Sequence, residues 1–394
     1  MNRVSNLGIR WWQWTTGLHV LFLLVIYHII ENIGFNQNHV LQHLSLVREN
    51  NLAVWWSGFC LMCAGLLFYR LASSQSAAPL DRVMWMVLAL VILGLSIDET
   101  GSLHERVSML GGWWALLPFA ILGGGGFAFA IARCFMTPGF RVSGVLILIS
   151  LGLFAGVAGM EEFGNVYSDT TTIIFAFRHV IEEGMELFSE SLLLLSGVLA
   201  LRTSLGQNFG EISIIVQPSQ LMALHQFLYL GLALHLCVTV IWMPYLWDLE
   251  RGNPAYWFPM LTFNLSAFIC IYRFRQTSEK IWLYTLVVLL LLSIGQMQNF
   301  AILLSQLSGS ASMPIYQDFY FRMLFTLVPL LPVLITRVPW KTLLLHLFLL
   351  GGVVAMLRNG AELFESYYIF SGLFAMMVFN LLTVHRNADE IHPN

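Results

Sequence analysis

Apolar stretches of roughly 20 residues alternate with short polar connections along nearly the whole chain, and that is the length of helix that crosses a hydrocarbon core. The pattern predicts about twelve spans. They lie near 13–34, 53–72, 83–103, 113–135, 141–162, 177–201, 220–244, 255–273, 280–303, 318–336, 341–358 and 366–385. The expected class is all-α, a polytopic integral membrane protein. Composition agrees: 58% of residues are hydrophobic and 10% charged, where a soluble domain carries roughly 25% charged residues. The N-terminus lacks a short apolar core followed by a small-residue cleavage site, so the first span is expected to be a retained helix.

Lys and Arg in short loops set orientation. Arg3 and Arg10 precede the first span, and Arg70, Arg82, Arg133, Arg141 and Arg202 flank the even-numbered connections of the first half. Arg273, Arg275, Lys280, Arg337, Lys341 and Arg386 do the same in the second half. The odd-numbered connections are poorer in cations, so both termini are expected in the cytoplasm. Trp pairs at 11–12, 55–56 and 113–114 fit interfacial anchors. A net charge of −3 offers nothing to nucleic acid. The expected location is the bacterial inner membrane.

The two halves resemble each other. Asn51–Trp56 parallels Asn253–Phe258, and both spans end in Tyr-Arg, at 69–70 and 272–273. Leu18 and His19 match Leu234 and His235, and a Leu-Ser-Ile recurs at 95–97 and 292–294. Gly184–Phe188 parallels Gly360–Phe364, each followed by a Ser-Gly pair. Six spans per half would make the pseudo-repeat parallel, with halves at 1–205 and 206–394. In this register Asp98 and Glu99 face Gly295 and Gln296, and His104 and Glu105 face Ala301 and Ile302. The first half is expected to hold the chemistry and the second to lack most of it, retaining Glu362 and Glu365.

An ionisable group inside a membrane is costly and therefore marks a candidate functional site. Such groups crowd the outer ends of three spans in the first half. His179, Glu183, Glu186 and Glu190 are spaced by four, three and four, one stripe of a helix, with Glu182 beside it. On the third span Asp98 and Glu105 share a face, while Glu99 and His104 point elsewhere on an ideal helix. The Thr100–Ser102 segment could unwind the helix end and bring the four together. Glu161 and Glu162 close the fifth span, and His28, Glu31, His39 and His43 lie near the same boundary.

Carboxylates with imidazoles from several helices form the ligand set of a divalent metal: iron, manganese or zinc. The expected ligands are Asp98, Glu99, His104, Glu105, Glu162, His179, Glu183, Glu186 and Glu190, with Glu186 and Glu99 also carrying the catalysis. Helical bundles build di-metal centres from bridging carboxylates, but the paired Glu-x-x-His motifs of the ferritin-like pattern are missing here. A plain alternative is a solvated rim, with acids paired to Arg106 and Arg178. Cys60 and Cys63 sit in an apolar helix without basic neighbours and read as packing. His19 and His235 read as histidines bonded to neighbouring helices, and Gly123–Gly126 as close helix packing.

Three function classes follow. The first is a membrane-embedded metalloenzyme, its site opening to the non-cytoplasmic leaflet, acting on a lipid or another hydrophobic molecule, either by a metal-activated water in hydrolysis or transfer or by oxidation at an iron or manganese pair. The second is a proton- or cation-coupled carrier of major-facilitator-like layout. Against it, the acids are skewed to one half, whereas carrier sites lie at the midplane between repeats. The third is a non-catalytic subunit that meets other chains of a membrane complex through its C-terminal half.

Overall fold

The computed structural model describes residues 52–74, 78–104, 113–166, 173–204, 228–236, 256–296, 371–380 and 382–383, with single residues at 17, 21 and 107. Among the described residues the secondary structure is helical, without strands. The helices are α1 (Leu52–Ala72), α2 (Pro79–Gly101), α3 (Trp113–Met136), α4 (Arg141–Val166), α5 (Ile173–Ser204), α6 (Trp257–Thr277) and α7 (Lys280–Ile294). Short helical segments lie at 228–236 and Ser371–Asn380. Among the described residues five stretches are long and apolar enough to cross a membrane: Val54–Ala72, Pro79–Gly101, Trp114–Met136, Pro138–Met160 and Ile181–Ser204. The expected spans at 13–34, 318–336 and 341–358 lie outside the described residues, apart from positions 17 and 21.

Two compact units divide the chain, Met1–Ile214 and Ile215–Asn394. In the first, the two ends of α2 have local causes. α2 opens with Pro79, whose missing N–H costs nothing in a first turn, and with Asp81 beside the positive end of the helix dipole. It closes at Ser102, held in the left-handed region at φ 46°. α3 and α4 are joined by a single 3-10 turn at Pro138–Phe140.

Adjacent helices run antiparallel. Ser96 Oγ of α2 donates to the Gly58 carbonyl of α1 at 2.7 Å. Arg133 of α3 pairs with Asp81 of α2 at 2.8 Å. Between α4 and α5, Ser143 and Ser196 donate to each other's carbonyls at 3.2 and 3.1 Å. Ser150 and Ser189 do likewise at 3.2 and 3.0 Å. α1 and α5 run parallel: Ser57 meets Glu190, and further along both helices a Cβ on Gly197 would stand 3.1 Å from Leu67 Cβ. A side chain at Gly197 would have to push Leu67 back by a few tenths of an ångström.

These directions sort the charges. Arg70, Arg82, Arg133, Arg141 and Arg202 gather at one end of the helices, where Trp85 stacks on Phe68 and meets the edge of Phe140. Glu99, Glu186 and Glu190 come together toward the other end. α1 is buried along most of its length, whereas α3 turns Trp114, Phe119, Ile121 and Leu122 outward. Exposed side chains of this kind suit contact with lipid rather than water.

In the second unit α6 and α7 form an antiparallel pair, and Ser293 Oγ donates to the Met260 carbonyl at 3.3 Å. Phe263 of α6 meets Phe374, with ring centroids 6.1 Å apart. His235 is buried, stacks on Phe258 at 5.5 Å and fits against Gly372, where a Cβ would stand 2.5 Å from its ring.

Candidate functional site

α5 is 32 residues long, about 48 Å at 1.5 Å per residue, more than a hydrocarbon core needs. Its apolar stretch begins at Ile181, so Arg178 and His179 precede that stretch and Glu182 and Glu183 open it. Glu190 lies nine residues inside, about 14 Å deeper. Glu186 is one turn nearer the end, on the same face of the helix.

α2 approaches this face with its last turn and brings Glu99. Carboxylate oxygens of Glu99, Glu186 and Glu190 lie within 4.8 Å of one another. Glu99 and Glu186 are half-buried, and Glu190 is completely buried. α1 supplies a fourth group, the Ser57 hydroxyl, which donates to Glu190 Oε1. The other oxygen, Glu190 Oε2, is buried and has no hydrogen-bond partner. A buried acceptor left this way costs about 1–3 kcal/mol, and more if charged. Three carboxylates this close repel one another unless protons or cations intervene.

The remaining acids behave differently. Past Ser102 the chain folds back, so that the His104 N–H donates to Asp98 Oδ1 at 2.7 Å. His104 Nδ1 lies 3.2 Å from Asp98 Oδ2. The pair closes the end of α2 and remains partly exposed. Glu182 pairs with Arg178 one turn earlier at 3.3 Å. Glu183 is half-buried one turn from Glu186. Glu105 lies outside the described residues, as do the side chains of Glu161, Glu162 and His179. His28, Glu31, His39, His43, Glu362 and Glu365 lie outside them too, and so does His19.

Among the described residues, then, the cluster draws on oxygen donors. Glutamates and a nearby hydroxyl form the kind of surrounding that suits hard cations, manganese or magnesium before zinc. Cys60 is buried one turn beyond Ser57 on α1, and Cys63 a turn further. Ser57 did not stand out in the sequence. The available signal was that it is the one hydroxyl between Leu52 and Phe68.

Residues 15–201 match the family model described as Domain of unknown function (DUF8692). That is just under half of the chain, and it spans Ser57, Glu99, Glu186 and Glu190. No curated protein and no solved structure matches the chain.

Proposed function

We propose that this protein is a membrane-embedded, metal-dependent enzyme. Its centre is a divalent cation held by Glu99, Glu186 and Glu190, and its substrate is a lipid or another hydrophobic molecule. The observation that carries the reading is Glu190: completely buried, beside two other carboxylates, with one oxygen lacking a partner. A divalent cation there would offset two of the three charges and give that vacant acceptor a partner. Manganese is the favoured metal, because it accepts an all-oxygen set more readily than zinc does. A cation here would activate a bound water for attack on an ester or phosphoester. Glu99 and Glu186, the two half-buried members, line the side from which substrate enters.

The wider architecture belongs to the same reading. The proposal has about twelve spans in two parallel six-helix pseudo-repeats, with both termini cytoplasmic in a bacterial inner membrane. One support is a hydrogen bond that recurs. In the register set by Asn51–Trp56 and Asn253–Phe258, Gly58 corresponds to Met260, and the shared Leu-Ser-Ile matches Ser96 to Ser293; each serine donates to its matched carbonyl. The gathering of five arginines at one end of α1–α5 supports an orientation with that end in the cytoplasm. The carboxylates would then face the non-cytoplasmic leaflet. That they all come from one unit weighs against a carrier, whose site would lie between its repeats.

The test uses the full-length protein in detergent, washed with chelator and titrated with Mn(II). Elemental analysis and the loss of the free Mn(II) paramagnetic signal report binding. One bound metal per chain is expected, absent in Glu190→Gln and Glu186→Gln and retained in Glu365→Gln. The loaded protein, reconstituted with a mixed lipid extract, should then change the lipid mass spectrum. No metal in the parent protein would overturn the reading, and metal without any lipid conversion would reduce it to a structural cation site.

A further inference from the structure

Glu190 has two oxygens, and the structure treats them differently. Oε1 accepts the hydroxyl of Ser57 from α1. Oε2 is buried with no partner. Ser57 is itself 1% exposed, so bulk solvent has little access to its hydroxyl. It is held at a fixed height, because Gly58 beside it is pinned to α2 through Ser96.

We infer that Ser57 is a positioning residue that makes Glu190 a one-oxygen ligand, leaving Oε2 to the cation and coordination positions open for water or substrate. The inference rests on the metal-site reading above. Carboxylates bind cations through one oxygen or through both, and the choice sets how many positions the protein fills. Grasping a cation with both oxygens would compete with the Ser57 bond at Oε1. Held to one, Glu190 leaves an octahedral ion incompletely covered, which is what a catalytic centre needs and a purely structural one avoids. In the pseudo-repeat register Pro259 stands where Ser57 does, and Gln296 where Glu99 does. The second half thus lacks both the hydroxyl and the acid.

The preference between manganese and calcium reads this directly. Calcium takes six to eight oxygens and accepts carboxylates through both, whereas an ion that prefers six ligands gains less from the second oxygen. The full-length protein in detergent is titrated with Mn(II) and separately with Ca(II), as parent, Ser57→Ala, Ser57→Thr and Ser57→Cys. In Ser57→Ala, Mn(II) binding should weaken about tenfold, the scale for losing a group that orients a ligand. The calcium-to-manganese affinity ratio should rise by a similar factor. Ser57→Thr should restore the parent ratio, and Ser57→Cys, a weaker donor of similar size, should fall between. If Ser57→Ala does not fold, the Thr and Cys variants still decide the matter through the same ratio. A ratio unchanged across the series, with metal bound throughout, overturns the role of Ser57 and leaves the metal site standing. A parent protein that binds neither ion overturns both.

Discussion

Asp98 and Glu99 are adjacent in the chain and engage different partners. Glu99 reaches Glu186 and Glu190 across the helix interface, while Asp98 turns to the end of its own helix and holds the backbone and ring of His104. A step of one residue rotates a side chain by about 100° around a helix. That rotation separates a member of the carboxylate cluster from a cap. Glu99→Gln should therefore abolish Mn(II) binding, whereas Asp98→Asn should preserve it and only loosen the 102–104 turn. Elemental analysis of the two variants side by side checks this, and equal loss in both would contradict it.

Glu190→Gln keeps the shape of the side chain and an acceptor for Ser57, but removes one charge of three. In chelator-washed protein the variant should melt a few degrees higher than the parent, on the scale of a change of about 1 kcal/mol. Adding Mn(II) should raise the melting temperature of the parent and leave the variant unmoved. A variant that melts lower without metal would mean that the surrounding protein already compensates the charge of Glu190.

Gly65 lets α1 and α2 approach about two turns along α1 from Ser57. A Cβ there would stand 2.7 Å from Leu93 Cγ, 2.9 Å from Leu93 Cδ2 and 3.4 Å from the Ala89 carbonyl. Gly65→Ala should cost about 1–3 kcal/mol by overpacking. Leu93→Ala alone leaves a cavity, and the double variant should lose less than the two single losses together. A double-mutant cycle on thermal unfolding in detergent measures that coupling.

Asp81 and Arg133 tie the basic ends of α2 and α3 together. Both side chains are largely covered, so Arg133→Met strands a carboxylate. The expected cost is about 1–3 kcal/mol, below that of a fully buried pair because some water still reaches both groups. Asp81→Asn combined with Arg133→Met should recover part of it. Metal binding should be unaffected, since the pair lies at the opposite end of the helices.

The five long apolar helices were legible in the sequence because an apolar run of bilayer length has few other uses. The α5 stripe was legible too: Glu186 and Glu190 lie four apart, and helical geometry puts them on one face whatever surrounds them. Glu99 was harder to place. An ideal helix sets Asp98 and Glu105 together and turns Glu99 away, but which face meets α5 depends on packing between helices, which periodicity does not encode. The Thr100–Ser102 segment did indicate a break in the helix, and the turn at Ser102 brings His104 back to Asp98. Ser57 was not legible. A lone serine in an apolar helix ordinarily bonds a carbonyl one turn back, as Ser191 does to Leu187. Only the parallel approach of α1 to α5 gives Ser57 a carboxylate instead.

The four serines between α4 and α5 bear on how this site could change shape. Ser143 and Ser150 are seven residues apart, as are Ser189 and Ser196, and in each of the two rungs a serine hydroxyl from either helix donates to the other's backbone carbonyl. Sliding one helix past the other by a turn would break every rung at once. The two helices therefore act as a single stave, with Glu186 and Glu190 fixed at set heights upon it. The other half of the centre, Ser57 and Glu99, stands on the α1–α2 pair, so the spacing between that pair and the stave sets the width of the centre.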